Sequence, residues 1–322
     1  MGNAVSSTTI TAATTSSSPQ QQQQQLASTR CIDIAIIGSG FAGLAAAIEA
    51  ATTNQGSGKI VILEKQPTPG GNSIMNAGQI AAVGTKYQRQ DNIQDSEELL
   101  TNDMLKAGVN LNHPTLLRTV ISGSNELIEW TEKELGVQYR DRVTQLGGHS
   151  VPRTLSTLNA TGRDIIRPML NKIETLPNVE LITRAAFKNF VMSDDGKTVK
   201  GVVVVHDKQT EQTLLCRRGV VIAAGGFSAD VDFRSIQNPS FGKNVMTTNQ
   251  PGATAEVLKE ALKIGAMVRI YVLSILPLLV IAYCWLCFSF SRLTCSISVL
   301  SRSHQTASSA LPYPTWSMDE SG

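Results

Sequence analysis

The chain has 322 residues, of which 42% are hydrophobic and 17% charged. This composition can bury a large core, which excludes disorder throughout, and a mean hydropathy near zero excludes a multi-span membrane protein. The 28 basic and 26 acidic side chains give a net charge of +2, too balanced to indicate nucleic acid as a partner. Five cysteines are too few for a disulfide framework, which predicts a reducing, cytoplasmic location.

Residues 1–29 form a low-complexity segment without a charged side chain. The segment is rich in serine, threonine and alanine and holds six consecutive glutamines at 20–25, a composition that predicts disorder. It has neither the apolar core of a secretory signal nor the arginines of a mitochondrial presequence. Its start matches the short N-myristoylation pattern, with Gly2 as the acceptor, although one acyl chain alone holds a membrane only marginally.

A strand, a glycine-rich turn and a helix follow in the order of a dinucleotide-binding unit. The apolar run IDIAII at 32–37 is typical of a buried parallel strand and leads into GSGFAG at 38–43 and an alanine-rich helix. In this motif the glycines permit a tight turn, close approach of a pyrophosphate and close helix–strand packing, and the helix N-terminus attracts the phosphates. The candidate phosphate-binding residues are Gly38, Ser39, Gly40, Phe41, Ala42 and Gly43.

A second strand, KIVIL at 59–63, ends in Glu64. This carboxylate lies about twenty residues beyond the last glycine, the place of the acid that accepts hydrogen bonds from an adenosine ribose. An acid here also argues against a 2′-phosphate on the adenosine. The alternative is a glycine-rich turn in an unrelated βαβ unit with Glu64 as a solvated strand end. The complete order of strand, turn, helix, strand and acid favours the dinucleotide site.

Two later segments predict backbone that lies close to a ligand. PGGNS at 69–73 and AGQ at 77–79 are too glycine-rich for a helix. A buried strand at 218–224 breaks into Gly225 and Gly226, a pair that alone would equally fit a strand-to-helix turn.

Taken together, these segments resemble the FAD-binding domain of the succinate dehydrogenase/fumarate reductase flavoprotein superfamily, and are most similar to its soluble, flavocytochrome c-like fumarate reductases. The resemblance rests on IIGSGFAGLAAAIEA, VILEKQPTPGGNS, LGGHSVPRT, VIAAGGFSAD and TTNQPGATAE, which follow the family's order across about residues 31–270. It implies an α/β fold in which a Rossmann-like parallel sheet carries an antiparallel β-meander. The strand-like runs at 179–182, 185–192, 199–205 and 212–216 suit that meander.

The resemblance implies FAD as the cofactor. Relatives with covalent flavin carry a histidine beside the serine of the second glycine loop, whereas here the neighbours are Asn72 and Ile74, so non-covalent binding is expected. Glu256 stands where the family has the aspartate of a Gly-Asp-Gly sequence, without its glycines. Beyond the first glycine turn, the implied FAD-binding residues are Glu64, Lys65, Gly70, Gly71, Asn72, Ser73, Ala77, Gly78, Gly225, Gly226 and Glu256.

Histidines give little guidance from the sequence. His149 lies in LGGHS, a segment that matches the family near the flavin, but a lone loop histidine is more often structural. No two of the four histidines have the spacing of metal ligands, so no metal site is predicted.

The activity that the resemblance implies is hydride transfer from reduced flavin to fumarate, giving succinate. In the family, the side chains that hold this small dicarboxylate and deliver the proton come from a capping domain, whose motifs do not follow Ile270. No catalytic residue is therefore assigned, the electron donor is not indicated, and this chain is predicted not to reduce fumarate. Two alternatives stay open: a non-catalytic, membrane-associated flavin-binding protein, and a related FAD-dependent dehydrogenase acting on a ketosteroid, aspartate or urocanate.

The composition changes abruptly after residue 270. Residues 271–322 carry four charged side chains, and the uncharged stretch 271–290 is long enough to span a bilayer as a helix. One interpretation is that a retained intron or a frame change has joined a non-native tail to a truncated flavodomain, since the family resemblance ends at the same place. The other is a genuine membrane helix. The expected organisation is disorder over 1–29, an incomplete FAD-binding domain over 30–270 and an apolar tail over 271–322.

Overall fold

The computed structural model describes residues 28–53, 58–207 and 209–266 and the backbone of residues 298–301. The strands are β1 (Thr29–Ile37), β2 (Ile60–Leu63), β3 (Gln79–Ala81), β4 (Thr154–Ser156), β5 (Val179–Ile182), β6 (Ala185–Met192), β7 (Val199–His206), β8 (Thr210–Ile222) and β9 (Ser298–Ser301). The α-helices are α1 (Phe41–Thr53), α2 (Lys86–Gln90), α3 (Glu97–Ala107), α4 (Pro114–Ser122), α5 (Ser124–Leu135), α6 (Arg163–Glu174), α7 (Val231–Gln237) and α8 (Glu256–Lys263). Short 3₁₀ turns lie at Gly71–Ile74 and Pro239–Phe241.

One seven-stranded sheet organises these elements, in the order β5-β2-β1-β8-β7-β6, with β9 paired to β8. The four strands β5, β2, β1 and β8 are parallel, whereas β6, β7 and β8 form an antiparallel meander. Strands β3 and β4 make a separate antiparallel pair. The predicted α/β class, a parallel sheet with an attached meander, is confirmed.

The long strand β8 joins the two parts of the sheet. Its 13 residues pair first with β7 and then with β1, so the runs predicted separately at 212–216 and 218–224 form one strand that ends at Ile222. Strand β5 pairs in parallel with β2 and so belongs to the parallel part of the sheet, not to the meander. The carboxyl ends of β1, β2 and β8 consequently meet at one edge, where ligands bind in open α/β sheets.

The core lies on both faces of the parallel strands, because successive side chains point to opposite sides. Ile36 and Ile62 are buried in a cluster with α1 and α6. Their neighbours Ala35, Ile37 and Val61 are buried in a second cluster, with β6, β7 and α8. Two covered faces explain why these strands read as continuous apolar runs.

Helices α3 and α4, together with Val83, form a smaller apolar cluster that contains Leu100, Leu117 and Ile121. In the described ranges, no helix is long and apolar enough to cross a membrane. The span predicted at 271–290 lies outside those ranges, as does the acylation pattern at Gly2.

Candidate dinucleotide-binding site

The turn between β1 and α1 packs so closely against neighbouring backbone that Gly38 and Gly43 leave no room for a side chain. Gly38 has a φ of +106°, and a Cβ added to it would lie 2.3 Å from the carbonyl oxygen of Ala223. A Cβ on Gly43 would lie 1.9 Å from the carbonyl oxygen of Gly38. The ends of β1 and β8 and the first turn of α1 therefore touch through their backbones, which leaves the helix start open to a ligand.

Helix α1 presents its N-terminus at this edge of the sheet. The first N–H groups of a helix have no partner within it and carry a partial positive charge. Phe41 donates its N–H to the hydroxyl of Ser73 at 3.0 Å, and the first turn holds no acidic side chain. An anion can approach the remaining N–H groups without meeting a carboxylate of the helix itself, an arrangement that suits a pyrophosphate.

Ser39 and Glu64 form a buried link beneath the turn. Ser39 has no exposed surface, and its hydroxyl donates to Oε2 of Glu64 while accepting the N–H of Gly70 at 3.0 Å. The other oxygen of Glu64 accepts the N–H of Gln66 at 2.8 Å. The predicted ribose acceptor thus lies at the end of β2, held by Ser39.

The second glycine loop passes directly beside the first. Gly70 and Gly71 both have positive φ, +115° and +53°, which favours glycine. A Cβ on Gly71 would lie 3.8 Å from the Cα of Gly40, and one on Gly40 would lie 3.3 Å from Oγ of Ser73. The structure therefore brings together the two segments that the sequence assigns to one ligand.

Asn72 connects this loop to a later segment through its side-chain amide. Its Nδ2 donates to Oδ1 of Asn249 at 2.5 Å, and its Oδ1 accepts the N–H of Gln250 at 2.8 Å. The Gln250 side chain returns a hydrogen bond to the carbonyl of Gly71 at 3.0 Å. Sequence reasoning did not single out Asn249 or Gln250, although TTNQPGATAE was among the segments that carry the resemblance.

Lys65 and Glu256 form an ion pair, with 2.9 Å between Nζ and Oε2, and both groups contact Thr254. Burial alone would raise the pKa of Glu256, but hydrogen bonds from Thr254 and Lys65 outweigh burial and lower the pKa. The pair joins the start of α8 to the end of β2, so these two predicted cofactor contacts act as one unit.

The remaining predicted glycines divide into two kinds. Gly78 has a φ of +62°, and a Cβ there would lie 2.3 Å from Oγ1 of Thr157, so packing within the protein requires glycine at this position. The preceding residue, Ala77, is half-buried. Gly225, followed by Gly226, has a φ of +76° with no atom within 4 Å of an added Cβ. Open space therefore adjoins the backbone at the end of β8.

These features fit an adenine dinucleotide. Three features lie together at one edge of the parallel sheet: glycine backbone without side chains, the open N-terminus of α1 and the carboxylate of Glu64 at the end of β2. A Cβ added at Gly38 or Gly43 would clash with neighbouring backbone. FAD has the pyrophosphate and ribose that such groups recognise.

Beyond Ser73 lies a cleft, defined here as the cavity of about 140 Å³ between the second glycine loop and helices α3, α4 and α5. Phe41, Ser73 and Gly78 line it on the side of the dinucleotide site, and His149 lines it together with Asp103 of α3. The cleft is therefore continuous with the residues predicted to hold FAD.

A buried ion network supports one wall of the cleft. The Arg153 side chain is 0% exposed; its Nη2 lies 2.7 Å and its Nε 3.0 Å from the two oxygens of Asp95, and its Nη1 pairs with Asp103. Burial would raise the pKa of Asp95 and of Asp103. Hydrogen bonds from Arg153 and Gln88 outweigh burial and lower the pKa of Asp95, and hydrogen bonds from Ser150 and Arg153 do the same for Asp103. Sequence reasoning missed this network, whose only signal was the arginine of LGGHSVPRT.

Comparison with known proteins agrees with this geometry. Residues 33–280 match the family described as FAD binding domain. The chain is 39% identical over 243 residues to the acrylate reductase flavoprotein subunit of Shewanella woodyi, covering 73% of this chain and 47% of that subunit. It is 31% identical to the urocanate reductase of Eggerthella lenta, covering 73% and 38%.

Among solved structures, the open conformation of a flavocytochrome c3 fumarate reductase matches with a TM-score of 0.69 and 25% identity, over 78% of this chain and 44% of that one. The chain thus spans about half the length, or less, of the relatives it matches.

Proposed function

Because the chain belongs to the FAD-binding domain family of the succinate dehydrogenase/fumarate reductase flavoproteins, we propose that it holds the FAD of a reductase acting on the C=C bond of a small unsaturated carboxylate. The family is one of FAD-dependent oxidoreductases, and the chain's cofactor is FAD. The proposal extends this to a reaction: relatives are named for acrylate, urocanate and fumarate, and these share a C=C bond conjugated to a carboxylate.

The observation that carries the proposal is the backbone cradle at Gly38, Gly43 and Ala223. Its geometry excludes side chains from the end of β1 and leaves the N-terminus of α1 for a pyrophosphate. A structural turn without a ligand would not need two glycine loops on the same strand edge, so close together that a Cβ added to Gly71 would lie 3.8 Å from the Cα of Gly40.

The positions of the predicted residues in the site indicate which part of FAD each of them would contact. The N–H groups of Gly40, Ala42 and Gly43 would bind the pyrophosphate, and Glu64 the adenosine ribose. The loop from Gly70 to Ser73, together with Ala77, Gly78, Gly225 and Gly226, would lie along the rest of the dinucleotide, with Lys65 and Glu256 at its border. When bound, FAD supplies hydride transfer. Asn72, whose amide is engaged by Asn249 and Gln250, has no nucleophilic atom, which supports non-covalent binding.

The groups that bind and protonate the substrate are proposed to lie outside the described residues. A carboxylate needs a cationic or N–H partner when it leaves water. Within the described ranges, the residues lining the cleft include no lysine or arginine. A dicarboxylate such as fumarate would therefore depend on parts of the protein beyond these residues, and so would the choice between fumarate, acrylate and urocanate.

The test uses the full chain purified in the presence of FAD. After gel filtration we expect one FAD per chain, released by denaturation. The photoreduced protein is then mixed anaerobically with fumarate, acrylate or urocanate, and none is expected to reoxidise the flavin faster than buffer alone. A chain that retains no FAD contradicts the proposal as a whole. Rapid reoxidation by one acid would identify a substrate and contradict the placement of the substrate-binding groups elsewhere.

A further inference from the structure

Strand β8 changes its partner halfway along its length. The first half pairs with β7, and this ladder ends at Leu215, opposite Gly201. From Gly219 to Ile222 the strand is covered on one side by β1, while its other side extends past the end of β7. We call this second side of residues 219–222 the β8 edge. Its backbone N–H and C=O groups need partners of their own.

The β8 edge has the composition of a strand that pairs readily. Its sequence, GVVI, contains no charged residue and no proline. Val220 is 0% exposed and Val221 8%, because their side chains pack into the two core clusters on opposite faces of the sheet. An apolar edge without charge or proline is a template for any extended segment that reaches it.

Hydrogen-bond direction alternates along β8. The N–H of Ala223 donates to the carbonyl oxygen of Ile37 at 2.9 Å, so the N–H of Ala223 faces β1. Successive residues of a strand direct their backbone groups to opposite sides. The N–H and C=O of Val221 therefore also face β1, whereas those of Val220 and Ile222 face the β8 edge.

Residues 298–301 lie against the β8 edge as the antiparallel strand β9. The register pairs Val220 with Leu300, and Val221 with Val299. Since Val220 directs its backbone groups to this edge, Val220 and Leu300 form a hydrogen-bonded pair. The next pair along is consequently a non-hydrogen-bonded one. The N–H of Leu300 thus faces β8, and the N–H of Val299 faces away from it.

We propose that the β8 edge is a strand-acceptor site, that residues 298–301 of the same chain occupy it, and that their pairing prevents edge-to-edge association between copies of the protein. Backbone hydrogen bonds supply the affinity in strand addition, and the register is continuous over four residues. A segment of the same chain is also present at a higher effective concentration than one from a second copy. The proposal does not depend on FAD, and it gives a role to residues beyond the family match at 33–280.

The first experiment measures amide hydrogen exchange at residue resolution in the full chain. Leu300→Pro removes the N–H that faces β8, whereas Val299→Pro removes one that faces away and is the matched control. In Leu300→Pro we expect the amides of Val220 and Ile222 to exchange about tenfold faster than in the wild type. The amide of Val221, which faces β1, should keep its rate in both variants.

The second experiment measures association by sedimentation velocity. We expect Leu300→Pro to associate as its concentration rises, since its β8 edge is open, and Val299→Pro to behave as the wild type does. A synthetic peptide of residues 296–303, added in excess, should restore slow exchange to Leu300→Pro and suppress its association. The same peptide with proline in place of Leu300 is the control and should do neither.

Several results would overturn the proposal. Rapid exchange of Val220 and Ile222 in the wild type would show that the β8 edge is not occupied. Equal exchange in the two proline variants would show that the pairing does not depend on the N–H of Leu300. Slow exchange that is lost when the wild type is diluted would identify a second copy as the occupant.

Two further results complete the test. An open edge in Leu300→Pro without association would overturn the protective role. If Leu300→Pro does not fold, Ser298→Pro takes its place beside Val299→Pro, because Ser298 pairs with Ile222 and its N–H also faces β8. The same exchange rates then decide the outcome.

Discussion

The hydroxyl of Ser39 donates to the carboxylate of Glu64, and this hydrogen bond joins the first glycine turn to the end of the neighbouring strand. The same hydroxyl accepts the N–H of Gly70, which begins the second glycine loop. One buried side chain thus fixes three segments that lie 25 and 31 residues apart along the chain. Ser39, the residue between the first two glycines of the turn, consequently has a structural role in addition to its predicted place near the phosphates.

Ser39→Ala tests this link. The change leaves the buried N–H of Gly70 without its partner and removes the hydroxyl donor to Oε2 of Glu64, which keeps only the N–H of residue 39 at 3.3 Å. The free energy of unfolding should therefore fall by about 1–3 kcal/mol. FAD retention should fall with it, since the two loops are no longer tied together. Urea unfolding and FAD titration provide the measurement. Ser122→Ala, at the exposed end of α4 where the hydroxyl makes one hydrogen bond at 3.5 Å, is the control and should stay within about 0.5 kcal/mol. Equal effects at the two serines would contradict the link.

Gly43→Ala tests the backbone cradle. The added Cβ would lie 1.9 Å from the carbonyl oxygen of Gly38, so α1 must move away from β1. We expect a loss of about 1–3 kcal/mol in unfolding free energy and no FAD retained after gel filtration. Gly242→Ala is the matched control, because its φ is −71° and its added Cβ would make ordinary contacts at 3.6 Å. Gly43→Ala protein that still binds FAD as wild type does would argue against the cradle.

Arg153→Met tests the buried ion network through its pH dependence. At pH 7 the variant leaves Asp95 and Asp103 buried without a cation, which should cost about 3–5 kcal/mol. In the wild type the pKa values of both carboxyls are lowered, so their stabilising effect is present above about pH 4 and is lost as the pH falls through the folded-state values. In the variant, burial raises the same pKa values, and its unfolding free energy should increase from pH 7 to pH 5. Parallel pH profiles for the two proteins would contradict this.

The local part of the site was predictable because its signals are close together in the sequence. The strand at 32–37, the turn from Gly38 to Gly43 and the carboxylate at Glu64 appear in the structure in the expected order, since one βαβ unit contains them all. The helix–strand contact at Gly43 follows from the spacing of the motif alone.

Contacts between distant segments could not be predicted in this way. Arg153 meets Asp95 and Asp103 across 58 and 50 residues, and no periodicity in the sequence relates them. Asn72 donates a hydrogen bond to Asn249, which lies 177 residues further along the chain. The parallel pairing of β5 was missed for a similar reason, because a four-residue apolar run does not show which strand it joins.

The two described cysteines should differ in reactivity. Burial raises the pKa of Cys216 to about 11, whereas Cys31 is exposed. Because the thiolate is the nucleophile, iodoacetamide at pH 8 should label Cys31 and leave Cys216 unmodified in the folded protein. Peptide mass spectrometry measures both sites, and labelling in urea is the control in which both react. Labelling of Cys216 at the rate of Cys31 without denaturant would show that the face of β8 carrying Cys216 is open to solvent.

The most direct measurement of the central claim is the amount of FAD that the full chain retains. Protein mixed with excess FAD is separated by gel filtration, and the flavin released on denaturation is quantified beside the Gly43→Ala variant. We expect one FAD per wild-type chain, with a flavin spectrum perturbed from that of free FAD, and none on the variant. Wild-type protein that elutes folded and without flavin, or a variant that retains as much as wild type, would contradict it.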